Sequence, residues 1–446
     1  MLIGFKIKNF LSFADEENFS MECGKVRGKR EHVSECRGCN LLKFSAIYGS
    51  NAAGKSNYIH AIRFAQKTIL GGIPRHTMNQ YHRVDLENKD KPTEFVFEIR
   101  LGKKKYRYTF ALNVYMAKFL SESLVDFSTT KEKLIFSRNM MTGEKILSKL
   151  SKSASSNNRV QTYFEDMEDD APNLFLTEMN RNKSQAYKAI PELHVFEDVY
   201  SWFANQLRII FPEDHRNYRP ELFRESGADS ICNILQKFGL QITNTSVEPV
   251  SFDAIIATFP GNPPAQIYED LKNDMLENLQ QERKKGKVNE IILQVGADLY
   301  SVNLDDNDEL VIKRLQLVHG EKGQFNISEE SDGTRRLIEL MDILLSEKED
   351  TTYIVDEIDR SLHPLITKRF IELFLIAAQQ NEKQLIVSTH ESRLLDLSVL
   401  RKDEIWFMTK ESGVSHLQSL ESLGVRPDLK IDTAYLKGKL VSIPMW

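Results

Sequence analysis

The sequence predicts an α/β fold whose core is a parallel sheet, interrupted by an inserted segment that is mainly helical. Residues 41–48 are mostly apolar, as in a buried central strand, and apolar residues at helical spacing follow from Ser56. Residues 95–101 and 106–112 alternate as the two strands of a hairpin, which predicts an antiparallel sheet beside the core. Short apolar strands return after Gly320, where we expect the second half of the core.

The first elements follow from local patterning. Ile3, Phe5 and Ile7 share one face of an extended chain, which predicts a strand, and residues 9–13 turn into a second strand. Residues 150–159, rich in serine, asparagine and lysine, are typical of an exposed loop.

The rest of the chain changes from helical to α/β order. Residues 196–320 have mostly helical spacing, with a proline-rich break at 260–264 and a charged helix over 268–285. An amphipathic helix is predicted over residues 334–345. The strands expected after it cover residues 353–355, 385–387 and 405–408. We therefore divide the chain into an N-terminal core part (1–195), an inserted mainly helical arm or partner-binding region (196–320) and a C-terminal core part (321–446).

Composition and charge narrow the class of protein. Of the 446 residues 41% are hydrophobic and 28% charged, which is ordinary for a globular protein. The net charge of -5 gives no overall attraction to nucleic acid, so DNA binding would need a local basic patch. Residues 102–107 and 283–287 are the best such clusters, although short charge runs are usually just solvated. No apolar run approaches the roughly 18 to 20 residues of a membrane span, so we expect a cytoplasmic protein without membrane contact.

The four cysteines are too few for a disulfide framework in a chain of this length. Cys36 and Cys39 form a C-x-x-C pair, and Cys23 and His32 could complete a set of four zinc ligands. Because the spacing is not that of a standard zinc finger, reduced thiols without metal remain the alternative.

A glycine loop carries the strongest functional signal. The pattern G-x-x-x-x-G-K-[ST] is matched at every fixed position by Gly49, Ser50, Asn51, Ala52, Ala53, Gly54, Lys55 and Ser56. Such a loop points successive backbone N–H groups at a phosphate, and the following helix adds the positive end of its dipole. We expect Lys55 to hold the β and γ phosphates of ATP and the Ser56 hydroxyl to bind Mg²⁺. A chance glycine turn is the alternative, and the strand before Gly49 and the helix after Ser56 argue against it.

A carboxylate at the end of a buried strand should complete this site, because Mg²⁺ needs an acid opposite the loop. Asp356 and Glu357 directly follow the predicted strand 353–355. We expect Asp356 to orient the waters of Mg²⁺ and Glu357 to activate the attacking water. Two acids that merely cap a strand end are the alternative. His390 ends the next strand and is the candidate sensor of the γ-phosphate.

These motifs resemble an ABC-type ATPase head of the SMC and RecF kind. GSNAAGKSN is similar to that group's G-x-N-x-x-G-K-S-N, which adds Asn57 to the expected nucleotide-binding residues, and KIKNFLSF resembles its first hairpin. Ser331-Asp332-Gly333 stands where the group has its signature, DEID with SLHP resembles its Walker B and D-loop, and STH its switch histidine. The resemblance implies a P-loop core sheet with an antiparallel β subdomain.

The resemblance also implies a homo-oligomer built from head-to-head dimers. ATP on the loop of one subunit would be completed by Ser331 and Gly333 of the other, at a helix N-terminus. The chain departs from the group's pattern in reading Ser-Asp-Gly rather than Ser-Gly-Gly. No motif identifies a Q-loop glutamine, and Gln66 and Gln80 are candidates by position only.

More narrowly, the chain is similar to bacterial abortive-infection ATPases of the AbiL or RloA type, relatives of the PARIS anti-phage ATPase subunit. The phrases EESDGTRRLIEL, VDEIDRSLHP and YLKGKLVSIP carry this resemblance. It implies a nucleotide-gated sensor and scaffold that controls a separate effector, a TOPRIM-like nuclease or toxin. The alternative is a repair or chromosome-maintenance ATPase that clamps DNA directly. A P-loop kinase ranks third, because kinases usually lack the Asp-Glu pair combined with a signature and a sensor histidine.

Overall fold

The computed structural model describes the chain except for residues 27, 36–37, 150–153, 168–171, 184–186, 189, 215–222, 224, 258–264, 285–289, 347, 425–429, 439 and 441–446. In this part of the chain the strands are β1 (Leu2–Lys8), β2 (Glu17–Ser20), β3 (Val33–Ser34), β4 (Leu41–Leu42), β5 (Phe44–Tyr48), β6 (Thr93–Leu101), β7 (Lys104–Asn113), β8 (Lys118–Asp126), β9 (Lys133–Asn139), β10 (Glu144–Leu147), β11 (Leu207–Ile210), β12 (Ile242–Pro249), β13 (Glu290–Val295), β14 (Asp298–Leu304), β15 (Leu310–His319), β16 (Gly323–Asn326), β17 (Thr351–Val355), β18 (Lys383–Thr389), β19 (Ile405–Glu411) and β20 (Val414–Ser419). The α-helices are α1 (Lys55–Gly71), α2 (Ala154–Glu165), α3 (Phe175–Met179), α4 (His194–Ser201), α5 (Glu225–Lys237), α6 (Phe252–Ile256), α7 (Ala265–Lys284), α8 (Asp332–Leu345), α9 (Pro364–Gln380) and α10 (Ile431–Leu436).

The chain forms two compact units, each assembled from separate segments. The first comprises Met1–Pro212, Lys348–Asp359 and Ile371–Trp446, and the second comprises Glu213–Glu347 and Arg360–Phe370. The functional division of the chain at residues 196 and 320 remains a prediction.

The first unit is built on a six-stranded sheet with the order β11-β17-β18-β5-β19-β20. Its first five strands run parallel, and β20 is antiparallel to β19. Every residue of β5, β17 and β18 is buried, as expected for strands covered on both faces. The strands predicted at 353–355, 385–387 and 405–408 lie within β17, β18 and β19, and the predicted α/β class is confirmed.

A seven-stranded antiparallel sheet, ordered β10-β9-β8-β7-β6-β1-β2, belongs to the same unit. The predicted hairpin is β6 and β7, with Phe97 opposite Tyr108. Gln384 of β18 is fully buried and connects this sheet to the parallel one. Its Oε1 accepts from Leu2 N at 2.6 Å, while its Nε2 donates to the carbonyls of Leu2 at 2.9 Å and Leu42 at 3.1 Å. The two sheets are thus joined by hydrogen bonds that buried backbone groups would otherwise lack.

The exposed loop was predicted over residues 150–159, of which 150–153 lie outside the described residues. The prediction is wrong from Ala154 onward, because α2 begins there. Val160 and Phe164 lie four residues apart on this helix and are buried. The burial of one face of α2 in the tertiary structure outweighs the weak helix propensity of the serines and asparagines in its first turns.

The second unit contains helices, as expected, together with a five-stranded antiparallel sheet that the sequence analysis did not predict. Its order is β12-β15-β14-β13, and β16 pairs with β15 beside β14. Leu279 of α7 packs in one apolar cluster with Tyr300, Val302 and Ile312 of the sheet. β12 is largely polar and β13 is half-buried throughout. Neither strand therefore shows the alternation of apolar and polar residues by which a strand is predicted. No helix within the described ranges is long and apolar enough to cross a membrane.

Candidate functional site

The glycine loop joins the carboxyl end of β5 to the start of α1, as the motif predicts. Ala52 and Gly54 have positive φ values of 63° and 115°, which curl the backbone. Lys55 is only 8% exposed, and its Nζ donates to the carbonyls of Gly49 at 2.7 Å and Ser50 at 3.1 Å. The lysine is therefore held against the loop, as the motif predicts for a phosphate-binding lysine.

Two serines that no motif identifies support the loop from outside. Ser415 Oγ donates to Ala53 O at 2.6 Å, and Ser415 N donates to Ser12 O at 2.7 Å. Asn57 Nδ2 donates to Ser12 Oγ at 2.9 Å. This bond gives the side chain of Asn57 a supporting contact, while its predicted contact with nucleotide remains a prediction. A Cβ on Gly54 would lie 2.3 Å from Ser415 Oγ and 2.9 Å from Ser12 Oγ, so these contacts require glycine.

Strand order brings the predicted acids to the edge of the sheet that carries the loop. β18 lies between β17 and β5, and all three are parallel, so residues that follow them meet at one edge. Two strand spacings are about 10 Å, which is within the span of a bound magnesium nucleotide. Asp356, 3% exposed, follows β17, and its carboxylate accepts a short hydrogen bond from Ser388 Oγ. Ser388 Oγ also accepts from Glu357 N at 2.8 Å. This hydrogen bond holds the backbone of Glu357 in its left-handed conformation, with φ of 48°.

The electrostatics of Lys55 support this proximity. Burial lowers the pKa of the Lys55 ammonium, and the charges of Asp356, Asp359 and Glu357 act in the opposite direction. Three carboxylates thus act on the single lysine of the loop, as expected where a phosphate-binding cation and metal-binding acids share a site.

His390 follows β18, and its Nε2 lies 3.3 Å from Asp359 Oδ2. The histidine side chain is 56% exposed and the Asp359 side chain 6% exposed. A buried carboxylate therefore orients an accessible imidazole at this edge. Asp359 was not among the predicted site residues, since only the fold brings it to His390.

Mg²⁺ is compatible with the groups present. The Ser56 hydroxyl is half-buried and has no hydrogen bond within the described residues, so a lone pair remains for a metal. Asp356 supplies a carboxylate, and phosphates with water usually provide the remaining Mg²⁺ ligands. In the described residues no group of three His, Cys, Asp or Glu side chains is arranged to hold a metal by itself.

The remaining predicted residues make other contacts. Ser331 and Gly333 belong to the second unit, where Ser331 Oγ accepts from Thr334 N at 3.2 Å and caps α8. Gln66 Nε2 donates to the carbonyls of Phe203 at 2.7 Å and Leu207 at 2.9 Å. The side-chain amide of this Q-loop candidate is therefore already engaged in hydrogen bonds with the backbone.

The second Q-loop candidate, Gln80, and the proposed zinc ligands Cys23 and His32 are also described by the structure. Gln80 has a buried Oε1 without a hydrogen-bond partner within the described residues. Cys36 lies outside those residues, Cys23 Sγ accepts from Arg401 Nη2 at 3.1 Å, and His32 Nδ1 lies 2.8 Å from Glu404 Oε1.

A cavity of about 480 Å³ is lined by residues close in sequence to the two serines that support the loop. Ala14 and Val414 line it, and they lie within two residues of Ser12 and Ser415. Three polar groups of its lining residues form no hydrogen bond or ion pair within the described residues, namely the Lys8 ammonium, the Asp15 carboxylate and Nε2 of His82. Its volume is within the usual range for small-molecule sites.

We predict that Gly54→Ala lowers ATP affinity at least about tenfold, because the methyl group would displace Ser415 or Ser12 and strain a residue at positive φ. ATP binding measured by calorimetry tests this. Gly71→Ala is the matched control, since Gly71 ends the same helix and an added Cβ there meets nothing within 4 Å. Equal affinity of Gly54→Ala and the unmodified chain would contradict the role given to the loop.

Several known proteins are similar to this chain. An SmcHead bound to the C-winged helix domain of ScpA is 14% identical with a TM-score of 0.41, and the match covers 95% of this chain and 99% of that chain. An SMC head domain from Thermotoga maritima is 14% identical with a TM-score of 0.35, and the match covers 94% of this chain and 98% of that chain. A Pyrococcus furiosus Smc head with an extended coiled coil, bound to the C-terminal domain of ScpA, is 14% identical with a TM-score of 0.38, and the match covers 94% of this chain and 97% of that chain. No curated protein sequence matches the chain. A family model matches residues 44–140 and 239–396, more than half of the chain, and these segments include the loop, Asp356, Glu357 and His390. The chain therefore belongs to the family described as "AAA domain, putative AbiEii toxin, Type IV TA system".

Proposed function

We propose that this chain binds Mg²⁺–ATP at the edge formed by β5, β17 and β18, hydrolyses it, and uses the nucleotide to control the association of two copies. The observation that carries the proposal is the parallel pairing of these strands, which collects the glycine loop, Asp356, Glu357 and His390. The membership in an AAA-domain family supports nucleotide binding.

Each residue has a distinct role in the proposed reaction. Lys55 and the loop amides bind the β and γ phosphates, and Ser56 and Asp356 hold Mg²⁺, which offsets phosphate charge when bound. Glu357 accepts a proton from the water that attacks the γ-phosphorus, and the bond to the β–γ bridging oxygen breaks to release ADP and phosphate. His390, oriented by Asp359, donates a hydrogen bond to the γ-phosphate.

Ser331 and Gly333 provide the proposed link between ATP and association. They stand at the N-terminus of α8, a helix of 14 residues whose dipole favours an anion there. In a head-to-head dimer this end would contact the γ-phosphate on the loop of the other copy. Hydrolysis would remove the bridge, so the nucleotide state would set the dimer state.

The cellular role we propose is that of a sensor and scaffold in an anti-phage defence complex with a separate nuclease or toxin effector. The family description, which refers to AbiEii toxins and a Type IV toxin–antitoxin system, supports this reading. Direct DNA clamping is less favoured because acids neutralise parts of both basic clusters. Arg107 pairs with Glu98 at 2.7 Å and Glu132 at 3.0 Å, and Arg283 pairs with Asp308 at 2.7 Å.

We further propose that the cavity lined by Ala14, Asp15, His82 and Val414 binds the base and ribose of the nucleotide. Its lining residues Ala14 and Val414 lie within two residues of Ser12 and Ser415, which support the loop, so we place the base of a nucleotide bound at the loop in this cavity. The free groups of Asp15 and His82 can accept and donate hydrogen bonds to a purine edge.

We predict that Glu357→Gln lowers ATP turnover by about 100- to 10,000-fold, because the general base is lost. The variant should still bind ATP and should accumulate as ATP-bridged dimers, measured by phosphate release and light scattering. Glu349→Gln is the matched control, since Glu349 is exposed. Unchanged turnover would refute the role of Glu357, and an ATP-insensitive mass would refute the dimer switch.

We predict that Asp15→Ala weakens ATP binding about 2- to 10-fold through loss of one hydrogen bond to the base. Binding of inorganic tripolyphosphate, which lacks a base, should not change. Calorimetry with both ligands measures the difference, and Asp90→Ala, an exposed acid outside the cavity, is the control. If ATP affinity is unaffected, or both ligands weaken equally, the base lies elsewhere.

A further inference from the structure

The segment that precedes Ser331 is held by the antiparallel sheet of the second unit. Asp298, the first residue of β14, is 8% exposed, and its Oδ1 accepts from Ser328 N at 2.8 Å. Its Oδ2 accepts from Ser328 Oγ at 3.0 Å. A single buried carboxylate thus takes both donors of Ser328, three residues before the cap of α8.

Two further contacts from β15 hold the same segment. His319 Nε2 lies 2.6 Å from Oε1 of Glu330, the residue before Ser331, and the Glu330 side chain is only 9% exposed. Gln316 Nε2 donates to Asn326 Oδ1 at 3.0 Å. Neighbouring strands of one sheet therefore fix residues 326–330 by side-chain hydrogen bonds.

We propose that Asp298 is a positioning residue that holds Ser331 and Gly333 in the conformation required to contact ATP on another copy, with His319 as a second support. This inference rests on the proposed ATP-bridged dimer. The sheet, which the proposed reaction otherwise leaves without a role, thereby sets the geometry of the N-terminus of α8. A displacement of β14 or β15 would reach Ser331 through Ser328 and Glu330.

The proposal requires the hydrogen bonds of Asp298 rather than its charge. An asparagine at this position can accept from Ser328 N through its carbonyl oxygen and donate to Ser328 Oγ through its amide. Asp298→Asn should therefore preserve function, whereas Asp298→Ala should not. Glu290→Ala is the matched control, because Glu290 accepts from Ser301 Oγ at 2.6 Å in the same sheet and, within the described residues, its side chain forms no hydrogen bond with residues 326–330.

The test uses the full chain in the Glu357→Gln background with ATP. Asp298→Ala should raise the dimer dissociation constant about tenfold or more, measured by sedimentation velocity, while the ATP affinity of the dilute monomer stays constant. Asp298→Asn and Glu290→Ala should dimerise like the parent. Dimerisation of Asp298→Ala at the parental level overturns the inference, as does an equal defect in Asp298→Ala and Glu290→Ala, which would indicate general weakening of the sheet.

Hydrogen exchange separates this inference from the proposed function. Amides of residues 328–334 should exchange faster in Asp298→Ala than in the parent without nucleotide, because their anchor is removed. If the parent itself fails to dimerise, the dimer switch is wrong, and unchanged exchange over residues 328–334 would still overturn the role of Asp298 independently.

Discussion

The site depends on one constraint, the placement of β18 between β17 and β5 in a parallel sheet. Because the three strands share a direction, the loop after β5, the acids after β17 and His390 after β18 must emerge at a single edge. Ser388 strengthens this arrangement by binding both the Asp356 carboxylate and the Glu357 amide. The position of the acidic pair is thus determined by the neighbouring strand as well as by its own.

Two serines outside the glycine loop also constrain its conformation. Ser12 follows β1 of the antiparallel sheet and Ser415 lies in β20, yet the hydroxyls of both serines lie where a side chain on Gly54 would be. The segment between the first two strands of the antiparallel sheet therefore helps to hold the glycine loop. Gln384 of β18 forms hydrogen bonds with Leu2 of the first strand and so links the two sheets.

Sequence patterns were sufficient for features that depend on local spacing. The glycine motif, the hydrophobic strands before Gly49 and Asp356, and the β6–β7 hairpin could be predicted because each is contained within a few residues. The roles of Ser12, Ser415 and Asp359 could not, since each acquires its partner only when distant segments meet. The sheet of the second unit escaped prediction because its strands are polar or half-buried and lack a clear period.

The central claim is that the loop and Asp356 bind one magnesium nucleotide together. The most direct measurement compares ATP affinity with Mg²⁺ and with EDTA, for the unmodified chain and for Asp356→Asn. Our account predicts that Mg²⁺ tightens binding to the unmodified chain, that Asp356→Asn loses about tenfold or more of this gain, and that both proteins bind alike in EDTA. An equal gain from Mg²⁺ in both proteins would contradict it.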